Sequence, residues 1–133
     1  MRHTALCLIP IVVSACAMIP TPFVAPAAAG KSAAEVSRLV PASEARLFPC
    51  AITEVKDANG ADLGYGSNWK SDVTLPAGAY RVSLVCSSGQ HEFRPQIGVN
   101  ARAGKTYRLT GYPLDDSITI FNMKMGIKVA ELP

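Results

Sequence analysis

The chain has 133 residues, 49% hydrophobic and 17% charged, with a formal net charge of +3 and four cysteines. That length suits one small domain, and the apolar content is too high for an intrinsically disordered chain. The positive balance is too slight for nucleic-acid binding, which needs a clustered basic surface.

The opening residues bear on the compartment. Met1-Arg2-His3-Thr4 carries one arginine and the amino group, and the chain then runs almost purely apolar from Ala5 to Ala15. That run is well short of the roughly 20 residues a membrane-spanning helix requires, and Pro10 interrupts it. Residues 1–15 read as an export signal. Val13-Ser14-Ala15-Cys16 resembles the lipobox of bacterial lipoproteins: a branched apolar residue, two small residues and a cysteine. The resemblance implies acylation of Cys16 by palmitate-type chains, cleavage before it, and a membrane partner held through the lipid. Ala17 stands where an aspartate would retain such a protein in the inner membrane, which implies the outer membrane, facing periplasm or surface. A second pattern, Ala27-Ala28-Ala29 before Gly30, offers an ordinary signal-cleavage site and a soluble periplasmic or secreted product.

Residues 16–40 are rich in alanine and proline with little periodicity. Pro20, Pro22 and Pro26 stiffen them, and they read as an extended tether. A short helix over 32–39 is the alternative, given the helix formers in "SAAEVSRL". Residues 41–133 form the domain. Removal of the signal takes Cys7 with it and, if Cys16 is acylated, leaves Cys50 and Cys86. Two leftover cysteines in an oxidising compartment are expected to form a disulfide. Without a C-x-x-C spacing, and with His91 the one imidazole of the mature chain, no metal site or cofactor is expected.

From residue 45 the pattern has period two, the signature of strands. In "AYRVSLVCSS", Tyr80, Val82, Leu84 and Cys86 share one face, and "CAITEV" puts Cys50 with Ile52. "QIGVNA", "TYRLTGY", "SITIF" and "GIKVAEL" continue the series, with Ile127 and Val129 expected on the core face. Asn59-Gly60 is a hairpin-type turn, and "LPAGAY" and "ARAGKTY" each place a glycine before a strand. Short strands separated by such turns predict an all-β domain, a small antiparallel β-sandwich of immunoglobulin-like or prealbumin-like type.

"VTLPAGAYRVSLVC" followed by "GVNARAGKTYRLTGY" resembles the layout of PEGA-like and carboxypeptidase-regulatory-like β-sandwich modules of small envelope lipoproteins. The likeness spans Arg46 to about Glu131, interrupted by a long Gly-rich loop between Val55 and Asp72. It implies an accessory domain without catalytic residues.

Catalytic pairings are hard to find in the sequence. His91 sits in "SSGQHE" with no positioned partner, Ser87 and Ser88 lack a nucleophile elbow, and Asp115-Asp116 lies in a turn. Two surfaces remain as partner contacts. Arg94, Arg102, Lys105 and Arg108 fall close together and predict a basic edge, either facing anionic lipid or cell-wall polymer or simply deterring edge-to-edge pairing. Tyr65 and Trp69 lie on the Gly-rich loop, and loop aromatics on rigid sandwiches make contacts or fold back over the core. The sequence thus points to a membrane-tethered, non-catalytic binding or assembly module whose partner is an envelope protein or cell-wall polymer. The alternative is a secreted or periplasmic enzyme inhibitor or carbohydrate-binding domain using the loop of Tyr65 and Trp69.

Overall fold

The computed structural model describes residues 19–44, 49–63, 69–88, 91–114 and 124–133. Within them lie one 3-10 turn, Pro26–Ala28, and nine strands: β1 (Thr21–Val24), β2 (Val36–Ser43), β3 (Cys50–Lys56), β4 (Lys70–Pro76), β5 (Gly78–Ser88), β6 (His91–Phe93), β7 (Gln96–Ala101), β8 (Thr106–Pro113) and β9 (Met125–Leu132). The alternation expected in β5 is present. Tyr80, Val82, Leu84 and Cys86 are buried and Arg81 is exposed. Ser83 and Val85 are buried too, so the second half of this strand is covered on both faces.

The strands form one mixed sheet in the order β6-β5-β3-β4-β2-β8-β9, with β7 pairing β5 and β1 pairing β4. β7 approaches β9, and the sheet is nearly closed into a barrel. The all-β class is thus as the periodicity implies, but the sheet is not purely antiparallel. β1 runs parallel to β4, and β2 parallel to β8, with Leu39 opposite Tyr107. Parallel partners are far apart in sequence and leave no hairpin signal between them.

The stretch expected to be a tether is largely inside this fold. Phe23 pairs with Val73 in β1, and Ala25 and Ala28 after it are only 1% and 3% exposed. Helix over 32–39 does not form either. Ser32 and Glu35 close a single turn, the Ser32 N–H and hydroxyl both donating to Glu35 Oε2 at 2.9 and 2.8 Å. Val36, Val40 and Pro41 then favour the extended chain of β2.

Inside the barrel, Leu39, Ile52, Val55, Val73, Leu75, Val82, Leu84 and Leu109 have no solvent exposure. Cys50 and Cys86 are directly opposite on the antiparallel β3 and β5 and are joined by a disulfide, with Cα atoms 4.1 Å apart and a separation of 36 positions in sequence. Ile127 lies in the core, whereas Val129 is 38% exposed, because β9 ends the sheet with one bonded neighbour and little cover beyond it. The strand predicted at Ile118 and Ile120 lies outside the described residues.

Two of the expected turns carry their chemistry visibly. Asp57 Oδ1 accepts the N–H groups of Asn59 and Ala61 at 2.8 and 3.0 Å, and Gly60 takes φ of 80°. Gly104 takes φ of 75° in the turn from β7 to β8. Both are left-handed conformations in which a side chain is strained.

Candidate binding cleft

Ile52 and Val55 in "AITEV" both point into the core, which strict alternation over three positions forbids. The conflict is resolved by a bulge. Ile52 faces Leu84 while Glu54 faces Ser83, leaving Thr53 as the extra residue. Its hydroxyl donates to Ser83 O at 3.3 Å, and its carbonyl accepts from Lys70 Nζ at 3.2 Å. Lys70 opens β4 opposite Ile52 and is only 4% exposed. Its ammonium sits 5.6 Å from the centre of the Phe23 ring. Burial pushes the Lys70 pKa below the ordinary lysine value, and the charge of Asp62 opposes that shift.

The bulge helps to shape a cleft of about 370 Å³. Thr53 and Glu54 of β3, Ser83 of β5, Asp62, Trp69, and Arg94 and Gln96 around the β6–β7 link form its walls. Trp69, half-buried, also lines a separate apolar notch of about 200 Å³ with Pro20, Pro49, Cys50 and Ala51. A larger open groove of about 510 Å³ runs past the Asn59-Gly60 turn, between Lys56, Tyr80, Arg81 and Asn100. The 370 Å³ cleft sets a half-buried indole beside carboxylates, a guanidinium, an amide and hydroxyls, whereas the aromatic of the larger groove, Tyr80, is only 8% exposed. Such a lining suits a polar ligand with a flat apolar face, which stacks on the indole while its polar groups hydrogen-bond to the rim.

Trp69 and Arg94, which the sequence places on two separate surfaces, meet in this cleft. Cys16, Tyr65, Asp115 and Asp116 lie outside the described residues. His91 opens β6, as a strand-start residue.

The basic edge does not form as one surface. Arg94 is separated from Arg102 by β7, whose six residues span roughly 20 Å. β8, which carries Arg108, is bonded on both sides, by β2 and β9, and is not an edge strand. The charges are also largely answered. Arg94 pairs with Glu92, Arg102 with Glu131, and Lys105 Nζ lies 3.5 Å from Glu131. The Glu131 carboxyl is held below the usual carboxylate range, chiefly by its hydrogen bond from Arg102. Arg108 alone of the four has no carboxylate partner among the described residues.

Thr53, Glu54, Asp62, Ser83 and Gln96 were not apparent as site residues from the sequence. One signal was there: apolar Ile52 and Val55 at a spacing no regular strand tolerates. Among the described residues, no group of three or more His, Cys, Asp or Glu side chains is placed to hold a metal ion. Against protein-family models, the curated proteins and the solved structures, nothing matches this chain.

Proposed function

We propose that this chain is a lipid-anchored, non-catalytic binding module of the bacterial cell envelope, attached through Cys16 and taking its partner in the Trp69 cleft. One observation carries the choice of anchor. β1 and the 3-10 turn at Pro26–Ala28 lie between the two cleavage patterns. A cut before Gly30 would strip β1 from β4 and remove the buried Ala25 and Ala28. A cut before Cys16 keeps every described strand. This supports the reading in which the cut falls before Cys16 and that cysteine carries a lipid.

In this reading the domain is an accessory module of the PEGA-like or carboxypeptidase-regulatory-like kind, a small sandwich-type β-domain. The partner is an envelope protein or a cell-wall polymer. A second reading, carbohydrate binding by a soluble periplasmic domain, draws on the same cleft, because an indole flanked by carboxylate, amide and hydroxyl groups suits a sugar ring.

Intact-mass measurement of the mature protein tests the anchor: an acylated Cys16 as amino terminus is expected, and a mature chain beginning at Gly30 would overturn it. Capture of cell-wall polysaccharide by wild type and by Trp69→Ala tests the cleft. Retained stability with weakened capture supports a contact role. A loss of about 3 to 5 kcal/mol, the cost of deleting a fully packed aromatic, would make Trp69 a core residue instead.

A further inference from the structure

We infer that the notch beside Trp69 rests against the headgroup region of the bilayer that holds the protein's own lipid, with the 370 Å³ cleft opening along the membrane surface to its partner. The inference depends on acylation at Cys16 and adds an orientation and a distance to it. The Thr21 N–H donates to Trp69 O at 3.0 Å, so the sheet takes hold of the chain five residues after the acylated position. Five extended residues reach at most about 18 Å. Part of the segment that looked like a spacer is consumed by β1, and the domain stands no further from the membrane than those five residues reach.

Strand directions then show what this end presents. β4 starts beside Trp69, β2 runs antiparallel to β4, and β8 runs parallel to β2. The end of β8 therefore lies at the Trp69 end, while the β7–β8 turn lies at the other. Ile19 and Leu114, exposed to 77% and 52%, both belong to the anchored end, while Val24, at 51%, lies further along β1. Among the described residues, the notch of Pro20, Pro49, Cys50, Ala51 and Trp69 is lined by no charged side chain. Charges stand at both ends: Arg102 and Lys105, paired with Glu131, at the distal one, and exposed Glu44 and Lys124 beside the ends of β2 and β8 at the anchored one. Exposed aliphatic side chains and a half-buried indole are costly in water and favoured at the membrane interface, where tryptophan is enriched. A short leash guarantees that this surface is always within reach of that interface.

The protein supplies its own reporter, because Trp69 is the sole tryptophan. The lipidated chain is reconstituted into phosphatidylcholine vesicles whose acyl chains carry bromine near the headgroup. Emission is expected to fall by roughly half relative to vesicles without bromine, with a shift to shorter wavelength. Insertion of about 20 Gly/Ser residues after Ala17 adds roughly 25 Å of average reach; it should leave the protein on the vesicles and reduce the quenching if the leash itself holds the contact. Acylated, vesicle-bound protein whose emission ignores the bromine, and is as open to acrylamide as the Cys16→Ser protein in solution, would overturn the orientation while leaving the anchor intact. A mature chain whose mass shows no acyl group overturns both.

Discussion

Gly111 of β8 lies against Cys50 so closely that a methyl group on its Cα would sit 2.7 Å from Cys50 Sγ, and 2.9 Å from Cys86 Sγ. The glycine is there for lack of space, and the disulfide thereby joins two neighbouring strands and packs against a third. Gly111→Ala is expected to destabilise the domain by about 1 to 3 kcal/mol, the usual cost of overpacking a filled core. Replacing both cysteines by alanine should relieve most of that penalty by removing the sulfur atoms. Melting curves of the four combinations measure the coupling, and additive losses would mean that Gly111 answers to something other than the disulfide.

Reduction of Cys50–Cys86 opens a loop spanning 36 positions. In the chain-entropy account such a loop is worth about 3 to 4 kcal/mol. For a domain of this size that corresponds to a fall in Tm of more than about 10 °C. Thermal unfolding with and without reductant checks it directly. A much smaller shift would mean that the unfolded chain is already compact around the two cysteines.

What the sequence conveyed and what it concealed follow from the range of the interactions. The inward set of β5, Tyr80 to Cys86, and the pairing of Cys50 with Cys86 rest on local alternation and on cysteine parity, both legible along the chain. β1 was not legible. "TPFV" carries a proline and too few residues to show a period, and its pairing with β4 spans almost 50 positions. Ala25 and Ala28 looked like spacer because small residues bury as readily as they extend. The cleft failed for a related reason: Trp69 and Arg94 meet only because the bulge at Thr53 and the β6–β7 link converge beside β5. The basic edge failed in reverse, since closeness in sequence between Arg94 and Arg108 becomes a strand's length in space.

Shortening the chain tests the place of β1. A protein beginning at Gly30 should lose Ala25 and Ala28 from the core and expose the free edge of β4, which invites pairing with other chains. Compared with one beginning at residue 16 with Cys16→Ser, it is expected to unfold at lower denaturant and to aggregate at concentrations the longer chain tolerates. Chemical unfolding monitored by circular dichroism, with light scattering, distinguishes the two. Equal stability would return residues 17–29 to the role of a tether.

Lys70 gives a prediction in pH. Its folded pKa lies below the ordinary value of 10.5, because burial penalises the charged form. Between the lowered value and about 10.5 the unfolded chain binds more protons than the folded one, so this residue's contribution to stability increases as pH rises through that window. Below the folded pKa the cost of the buried charge is present in full. Tyr80 acts the other way: burial raises its pKa, so its contribution declines as pH rises from about 10, where the unfolded chain begins to ionise first. Lys70→Met separates the two. It keeps most of the apolar stem and removes the group that donates to Thr53 O. At neutral pH it is expected to cost about 1 kcal/mol through the lost hydrogen bond. As pH rises from the lowered folded pKa toward about 10.5 the wild type should gain stability relative to the variant, since the neutral amine still donates to the Thr53 carbonyl without a charge to bury. Denaturant unfolding of both proteins across that range reads the difference, and a gap that stays constant or narrows with pH would show that the Lys70 ammonium is solvated in the folded protein.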